Sequence, residues 1–390
     1  MNYSETNMSV IELAKKLIEC TSVTPADAGA QDYLAKHLKA LGFEVFHLPF
    51  GDVPNLFARI GSGAPHICYA GHTDVVPPGP AGQWTYGPFT PTVADGKLYG
   101  RGASDMKGSV AAFASAAAAY IQQHGAPKGS ISMLITGDEE GPATHGTVKV
   151  LEWMAQHGHT PDVCLVGEPT NPSVLGEEIK IGRRGSLSGT ITVHGKQGHV
   201  AYPKLADNPV PRLAKLVDAL ASHKFDEGTE YFQPTNLEVV SIDVGNTASN
   251  VIPGQGTAKF NVRFNDQWSV KNKGKDNTRS IDQEIRKILD KVGVSYELEF
   301  NESDSRSFLT NPGAWSALVR DAVKDVTGRT PEYTTNGGTS DARFVVEYCP
   351  VVEFGPINAT IHQINENAEV QVLEDLTRIY VRVLELYFKS

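Results

Sequence analysis

The chain has 390 residues, 40% of them hydrophobic and 21% charged, which is ordinary for a soluble globular enzyme and more than one hydrophobic core usually holds. Two domains are therefore expected. A formal net charge of −10 with no long basic run argues against nucleic acid or an anionic membrane as a partner.

In chain order, Met1 to Val10 is polar, with neither a basic nor an apolar run, so no signal peptide is expected. Val10–Glu19 and Gln31–Leu41 carry helical periodicity, and Gly42 is placed to stop the second helix. His66–Ala70, Ser130–Thr136, Val163–Val166 and Val351–Phe354 are short apolar runs of β character. The Ala-rich Val110–Ile121 stretch is too short for a membrane span and reads as a buried helix. Strands alternating with helices predict an α/β layer around a mostly parallel sheet.

Near Gly185 the pattern changes. Ser186–His194 alternates apolar and polar residues as a half-solvated strand does. Helices are expected at Asn208–Ser222 and Ser280–Val292, and strands at Leu237–Val244, Gly256–Phe264 and Ser295–Phe300. This predicts an inserted α+β domain over 185–301, with 1–184 and 302–390 forming the α/β domain. Val270–Arg279, rich in Lys and Asn, reads as a solvated loop. Cys20, Cys68, Cys164 and Cys349 form no CxxC pair. Three of them lie in or beside apolar runs, so free buried thiols in a reducing cytoplasm are expected.

Five metal-grade side chains fall in five short motifs: His72 in Gly-His-Thr-Asp, Asp105 in Gly-Ala-Ser-Asp-Met-Lys-Gly, Glu140 in Asp-Glu-Glu-Gly, Glu168 in Gly-Glu-Pro-Thr, and His362 in Thr-Ile-His. Two imidazoles and three carboxylates can hold two divalent cations if one carboxylate bridges them. The mix suits zinc, with cobalt or manganese as poorer choices. Such a centre activates water and clamps the oxyanion formed when that water attacks a carbonyl. His72, Glu139, Glu140 and Glu168 follow predicted strands, at the ends where α/β sheets bind ligands. Asp74, two residues from His72, is placed to accept the second imidazole N–H. Asp105 alone would read equally well as a helix N-cap; beside the other motifs it reads as the bridging ligand. Glu139, next to Glu140, can face the water as general base. Lys107 reads as a solvated charge. His199, in Gly-Lys-Gln-Gly-His-Val-Ala-Tyr-Pro, fits either a turn residue or an oxyanion donor.

Together these motifs resemble the di-zinc aminoacylase/carboxypeptidase superfamily, from about Val10 to the C-terminus. Gly182-Arg183-Arg184-Gly185-Ser186, Phe264-Asn265-Asp266, Gly337-Gly338-Thr339-Ser340-Asp341 and Glu353-Phe354-Gly355-Pro356 are similar to its members that remove succinyl groups from amino acids. The resemblance implies His72 and Glu168 on one zinc, Glu140 and His362 on the other, and Asp105 bridging, with cobalt as a substitute metal. It implies Asp74 as support for His72 and Glu139 as the base. It further implies that the insert is a dimerisation domain whose His199 reaches the partner subunit's site. Arg183, Asn250, Arg263, Gly338, Thr339 and Asn358 would bind a small N-succinyl amino acid. Acetylornithine deacetylases, aminoacylases and carboxypeptidases are the rival enzymes. A non-catalytic binding protein is a further rival, against which an intact Glu139 argues, since a binder needs no base beside a metal.

Overall fold

The structure is a computed structural model that describes residues 8–270, 279–301 and 305–389. The expected loop at Val270–Arg279 therefore lies, over 271–278, outside the described residues. The chain divides into two compact units. One comprises 1–182, 310–334 and 340–390, and the other 183–309 with 335–339. Against the expected insert of 185–301, the second unit takes a few more residues at each end and gains the short 335–339 stretch.

The first unit is built on an eight-stranded sheet. Its order is Glu44–His47, Asn55–Gly61, Ser130–Thr136, His66–His72, Val163–Val166, Val351–Glu353, Glu178–Lys180 and Glu332–Thr334. Pairing is parallel through the centre, from Ser130–Thr136 to Val351–Glu353. At the Glu44 flank it is antiparallel; Glu44–His47 and Asn55–Gly61 are joined by a short connection, which can return the chain only as a hairpin. Val351–Glu353, from the last segment of the chain, lies between strands formed much earlier. The helices Val10–Glu19, Ala30–Ala40, Lys107–His124 and Val370–Tyr387 bring buried faces to this core. Gly42 ends the second of them at φ 94°, a conformation that favours glycine.

Lys107–His124 is longer than its apolar stretch suggested, and its start corrects the reading of Lys107. That side chain is wholly buried, with Nζ donating to the Cys20 carbonyl at 2.7 Å. Burial lowers its pKa to about 8. The cost of desolvating an ammonium is met here by a bond to chain 87 residues away, which no local pattern reveals. Cys68, Cys164 and Cys349 are buried free thiols, as expected. Among the described residues, no helix is long and apolar enough to cross a membrane.

The second unit has an antiparallel sheet in the order Asn236–Asp243, Gln255–Phe264, Gly185–His194, Glu297–Phe300. Leu187, Ile191 and Val193 alternate inward, as the sequence predicts. They meet Leu213, Leu216 and Leu220 of helix Val210–Ala221 and Ile281, Ile285 and Leu289 of helix Ile281–Asp290. Gly185 and Gly189 face Phe264 and Phe260 across the ladder, where a Cβ would fall 2.1 and 2.4 Å from the rings. The glycines make room for the aromatic side chains.

Candidate metal centre

His72 is the last residue of its strand and is fully buried. Its Nδ1 lies 2.9 Å from the main-chain carbonyl of Asp74 and 3.6 Å from that residue's carboxylate. The carbonyl thus takes the Nδ1–H, which orients the ring so that Nε2 faces the carboxylates. This corrects the expected role of the Asp74 carboxylate. That group instead accepts the Thr24 hydroxyl at 2.7 Å and the main-chain amides of Glu139 and Glu140 at 3.4 and 3.1 Å. It holds in place the two glutamates rather than the imidazole.

Around Nε2 of His72 lie Asp105 Oδ1 at 3.2 Å, Glu168 Oε1 at 3.6 Å and Glu139 Oε2 at 4.0 Å. The other oxygen of Asp105, Oδ2, is 3.3 Å from His362 Nε2, and His362 is 2.9 Å from Glu140 Oε1. One carboxylate therefore turns its two oxygens toward two different imidazoles. Distance to His72 alone would admit Glu139 as a donor, and the pairing of Glu140 with His362 is what separates the adjacent glutamates. Glu168 follows Gly167, where a Cβ would fall 2.0 Å from the Tyr69 hydroxyl, so only glycine lets the chain pass this close to the sheet. Asp138, the third acid of its cluster, accepts the amides of Thr144 and His145 at 2.9 and 3.0 Å. It shapes the loop after the strand.

The donor set fits cations. His72 Nε2 and Asp105 Oδ1 are buried and face each other without a hydrogen bond, a rarity in folded proteins. His72, Asp105 and Glu140 form one set of donor atoms within 4.8 Å of one another, and His72, Glu139 and Glu168 form a second. Without cations the charges distort each other's titration. Burial favours neutral His72, but Asp105 and then Glu168 outweigh it and hold its pKa well above the usual imidazole value. Asp105 resists the pull of burial because His362 and His72 hold its carboxyl well below the usual range. Hydrogen bonds donated to Asp105 and Glu140 raise His362 to about 10. Burial, reinforced by the Glu168 charge, pushes Glu139 well above the ordinary carboxylate range.

The other sequence-predicted residues are divided between the two units. Asn358 belongs to the first unit, and its amide donates to the Asn171 carbonyl at 2.9 Å. In the second unit Arg183 is buried beside the 335–339 stretch, donating to the carbonyls of Asn336 and Gly338 at 3.4 and 3.3 Å. This brings Arg183, Gly338 and Thr339 together. Arg263 is half-buried on its strand, and Asn250 is exposed in the turn before Val251. His199 is exposed on a two-residue strand paired with Val251–Ile252. The Ala201 amide donates to its Nδ1 at 3.1 Å, which leaves the proton of the neutral ring on Nε2.

Sequence reasoning missed Thr24, Arg101 and Glu366. The last two are fully or almost fully buried charges within five residues of a candidate ligand. Charged residues placed so close to metal-type motifs were the available signal.

Residues 68–386 match peptidase family M20/M25/M40, and the chain belongs to that family of hydrolases. It is 55% identical to the succinyl-diaminopimelate desuccinylase of Rhodospirillum centenum over 97% of this chain and 97% of that protein. It is 54% identical to the protein of the same name from Xanthobacter autotrophicus, over 97% of this chain and 99% of the other. Its fold is similar to that of an M20 family metallo-carboxypeptidase from Sulfolobus solfataricus, with a TM-score of 0.79 at 18% identity, covering 98% of this chain and 100% of that one.

Proposed function

We propose that the chain hydrolyses N-succinyl-LL-2,6-diaminopimelate to succinate and LL-2,6-diaminopimelate, a step of lysine and diaminopimelate biosynthesis. Metal-assisted hydrolysis rests on one observation: Asp105 presents one oxygen to His72 and the other to His362, beside three further glutamates. The choice of substrate rests on likeness to the desuccinylases. His72 and Glu168 would hold one zinc ion, Glu140 and His362 the second, and Asp105 both, with cobalt as a substitute. Bound there, the ions supply Lewis-acid activation of water and of the amide carbonyl.

The protein's own groups move the protons. Glu139 takes the proton of the attacking water and returns it to the leaving amine, so its side chain ends the cycle as it began. Asp74 keeps Glu139 and Glu140 in register through their amides. Arg183 and Arg263 suit the carboxylates of the substrate, because a guanidinium pairs with them through two parallel hydrogen bonds. Asn250, Gly338, Thr339 and Asn358 complete the substrate contacts.

The working form in this reading is a homodimer in the cytoplasm. Val240 and Ile242 are exposed on the Asn236–Asp243 edge strand, and Val200, Tyr202 and Leu205 on the His199 segment, as on a surface that pairs with a second copy. His199 would donate Nε2–H to the oxyanion in the partner subunit's site. The buried free thiols fit a reducing compartment.

Steady-state kinetics with succinyl-diaminopimelate beside acetylornithine, and metal content by elemental analysis, test the proposal. A preference for acetylornithine moves the chain to a sister deacylase. Absence of turnover with either substrate in fully metal-loaded protein removes the enzymatic reading.

A further inference from the structure

Glu366 is wholly buried and takes no part in the chemistry above. An ionised carboxylate in that position is tolerated only if fully satisfied, and this one is. Oε1 accepts the main-chain amides of Ser104 and Asp105, each at 3.0 Å. Oε2 accepts the Gly102 amide at 3.1 Å and Nη1 of buried Arg101 at 2.7 Å. Three amides of one short loop converge on a single carboxylate, so the loop carrying Asp105 is moulded around the Glu366 side chain.

The same contacts reach the other metal-ligand loop. Glu366 lies four residues after His362, and its own carbonyl accepts the Gly100 amide at 3.0 Å. Ser104 Oγ donates to the Ile357 carbonyl at 2.6 Å, and Asn365 Oδ1 accepts the Thr85 amide at 2.7 Å. The 357–366 stretch is thus tied down on both sides of His362. His362 and Asn365 both have φ 60°, a left-handed conformation that non-glycine residues keep only where their surroundings hold them. Asp105 and His362 come from segments more than 250 residues apart, and Glu366 is a side chain that grips both.

We infer that Glu366, with Arg101 as its counter-charge, is a positioning residue that sets the gap between Asp105 and His362 and so makes the site beside His362 and Glu140 competent to hold its cation. His72 comes from a strand end that Glu366 does not touch, so the cation beside His72 and Glu168 depends on it less. The inference rests on the reading of Asp105 as the shared ligand.

The test is a calorimetric titration of metal-free protein with Zn²⁺, run on wild type, Glu366→Gln, Glu366→Asp and Asp105→Ala. Circular dichroism and thermal melts of the metal-free forms report folding. Glu366→Gln is expected to bind one equivalent about 10- to 100-fold less tightly, the range typical for outer-shell partners, and the other within about threefold of wild type. Glu366→Asp, which keeps the charge but is one methylene short, should fall between the two. A merely structural role would lower the melting temperature without separating the two equivalents. Wild-type affinity for both equivalents in Glu366→Gln, with loss of metal in Asp105→Ala, overturns the inference alone. Wild-type metal binding in Asp105→Ala instead overturns the shared-ligand reading on which it rests. If Glu366→Gln does not fold, Arg101→Lys takes its place, with the same selective loss expected and the same overturning result.

Discussion

The ligand cluster of the first unit and the His199 segment of the second are opposites in their surroundings. His72, Asp105 and Glu168 are buried, and Asp105 lies within 3.3 Å of two imidazoles. His199 is exposed, beside exposed Val200, Tyr202 and Leu205, and its ring accepts the Ala201 amide of its own turn. A buried knot of carboxylates and imidazoles suits a cation through its charge and the placing of its donor atoms. An exposed imidazole specifies none, and its role depends on what is brought to it.

The sharpest way to break this contrast is at Glu139. Glu139→Gln should cut kcat by about 10² to 10⁴-fold or more, the usual worth of a general base, while metal content stays near that of wild type. Loss of metal in this variant would make Glu139 a ligand and erase the division of labour between Glu139 and Glu140. On the exposed side, His199→Ala should lose about 10² to 10³-fold in kcat with its metals intact. Co-expressed with Glu139→Ala, it should give a mixed dimer with one intact site and up to about half the wild-type activity, as a two-fold arrangement dictates. Purified heterodimers that stay dead would place the action of His199 within its own subunit or nowhere.

Glu168→Ala should shed bound zinc toward a single equivalent, read by elemental analysis, and weaken turnover. Retention of both ions would return Glu168 to a plain strand-end acid. The smallest effect concerns stability. His66 is also a buried imidazole of the first unit, but burial, helped by Arg59, lowers its pKa to about 4, where carboxylates raise that of His72. A folded-state pKa below the usual 6.5 gives stability that is complete above pH 6.5 and lost as the pH falls toward 4. Between pH 7 and pH 5 the wild type should therefore lose on the order of 2 kcal/mol more than His66→Leu, measured by urea unfolding. Equal losses would show that folded His66 takes up its proton as readily as the unfolded chain does.

Much of the candidate site was legible because its residues follow or end apolar runs. Gly71-His72 closes one strand, Glu139-Glu140 follows Ser130–Thr136, and Glu168 follows Val163–Val166. Alternation likewise revealed the inserted sheet down to the inward Leu187, Ile191 and Val193. What stayed hidden depends on partners distant in sequence. The Lys107 ammonium finds Cys20, the Asp74 carboxylate finds Thr24, and Glu366 finds the amides after Arg101. A charge at a helix start or in a polar loop looks solvated until the chain that covers it is in place. The strands Glu44–His47 and Asn55–Gly61 of the antiparallel flank were not expected; the first is short and only half-buried, with no apolar run to mark it.

The position of Val351–Glu353 between two much earlier strands has a consequence for synthesis on the ribosome. The 183–309 stretch holds all four strands of its own sheet and can close while later residues are still being added. The larger sheet cannot, because a central slot between Val163–Val166 and Glu178–Lys180 waits for chain that has yet to emerge. His362 and Glu366 arrive with that same final segment. The nascent protein therefore passes through a stage with His72, Asp105, Glu140 and Glu168 made but unclosed, and any cation captured then meets half a site. Completion of the metal centre belongs among the last events in the birth of this molecule.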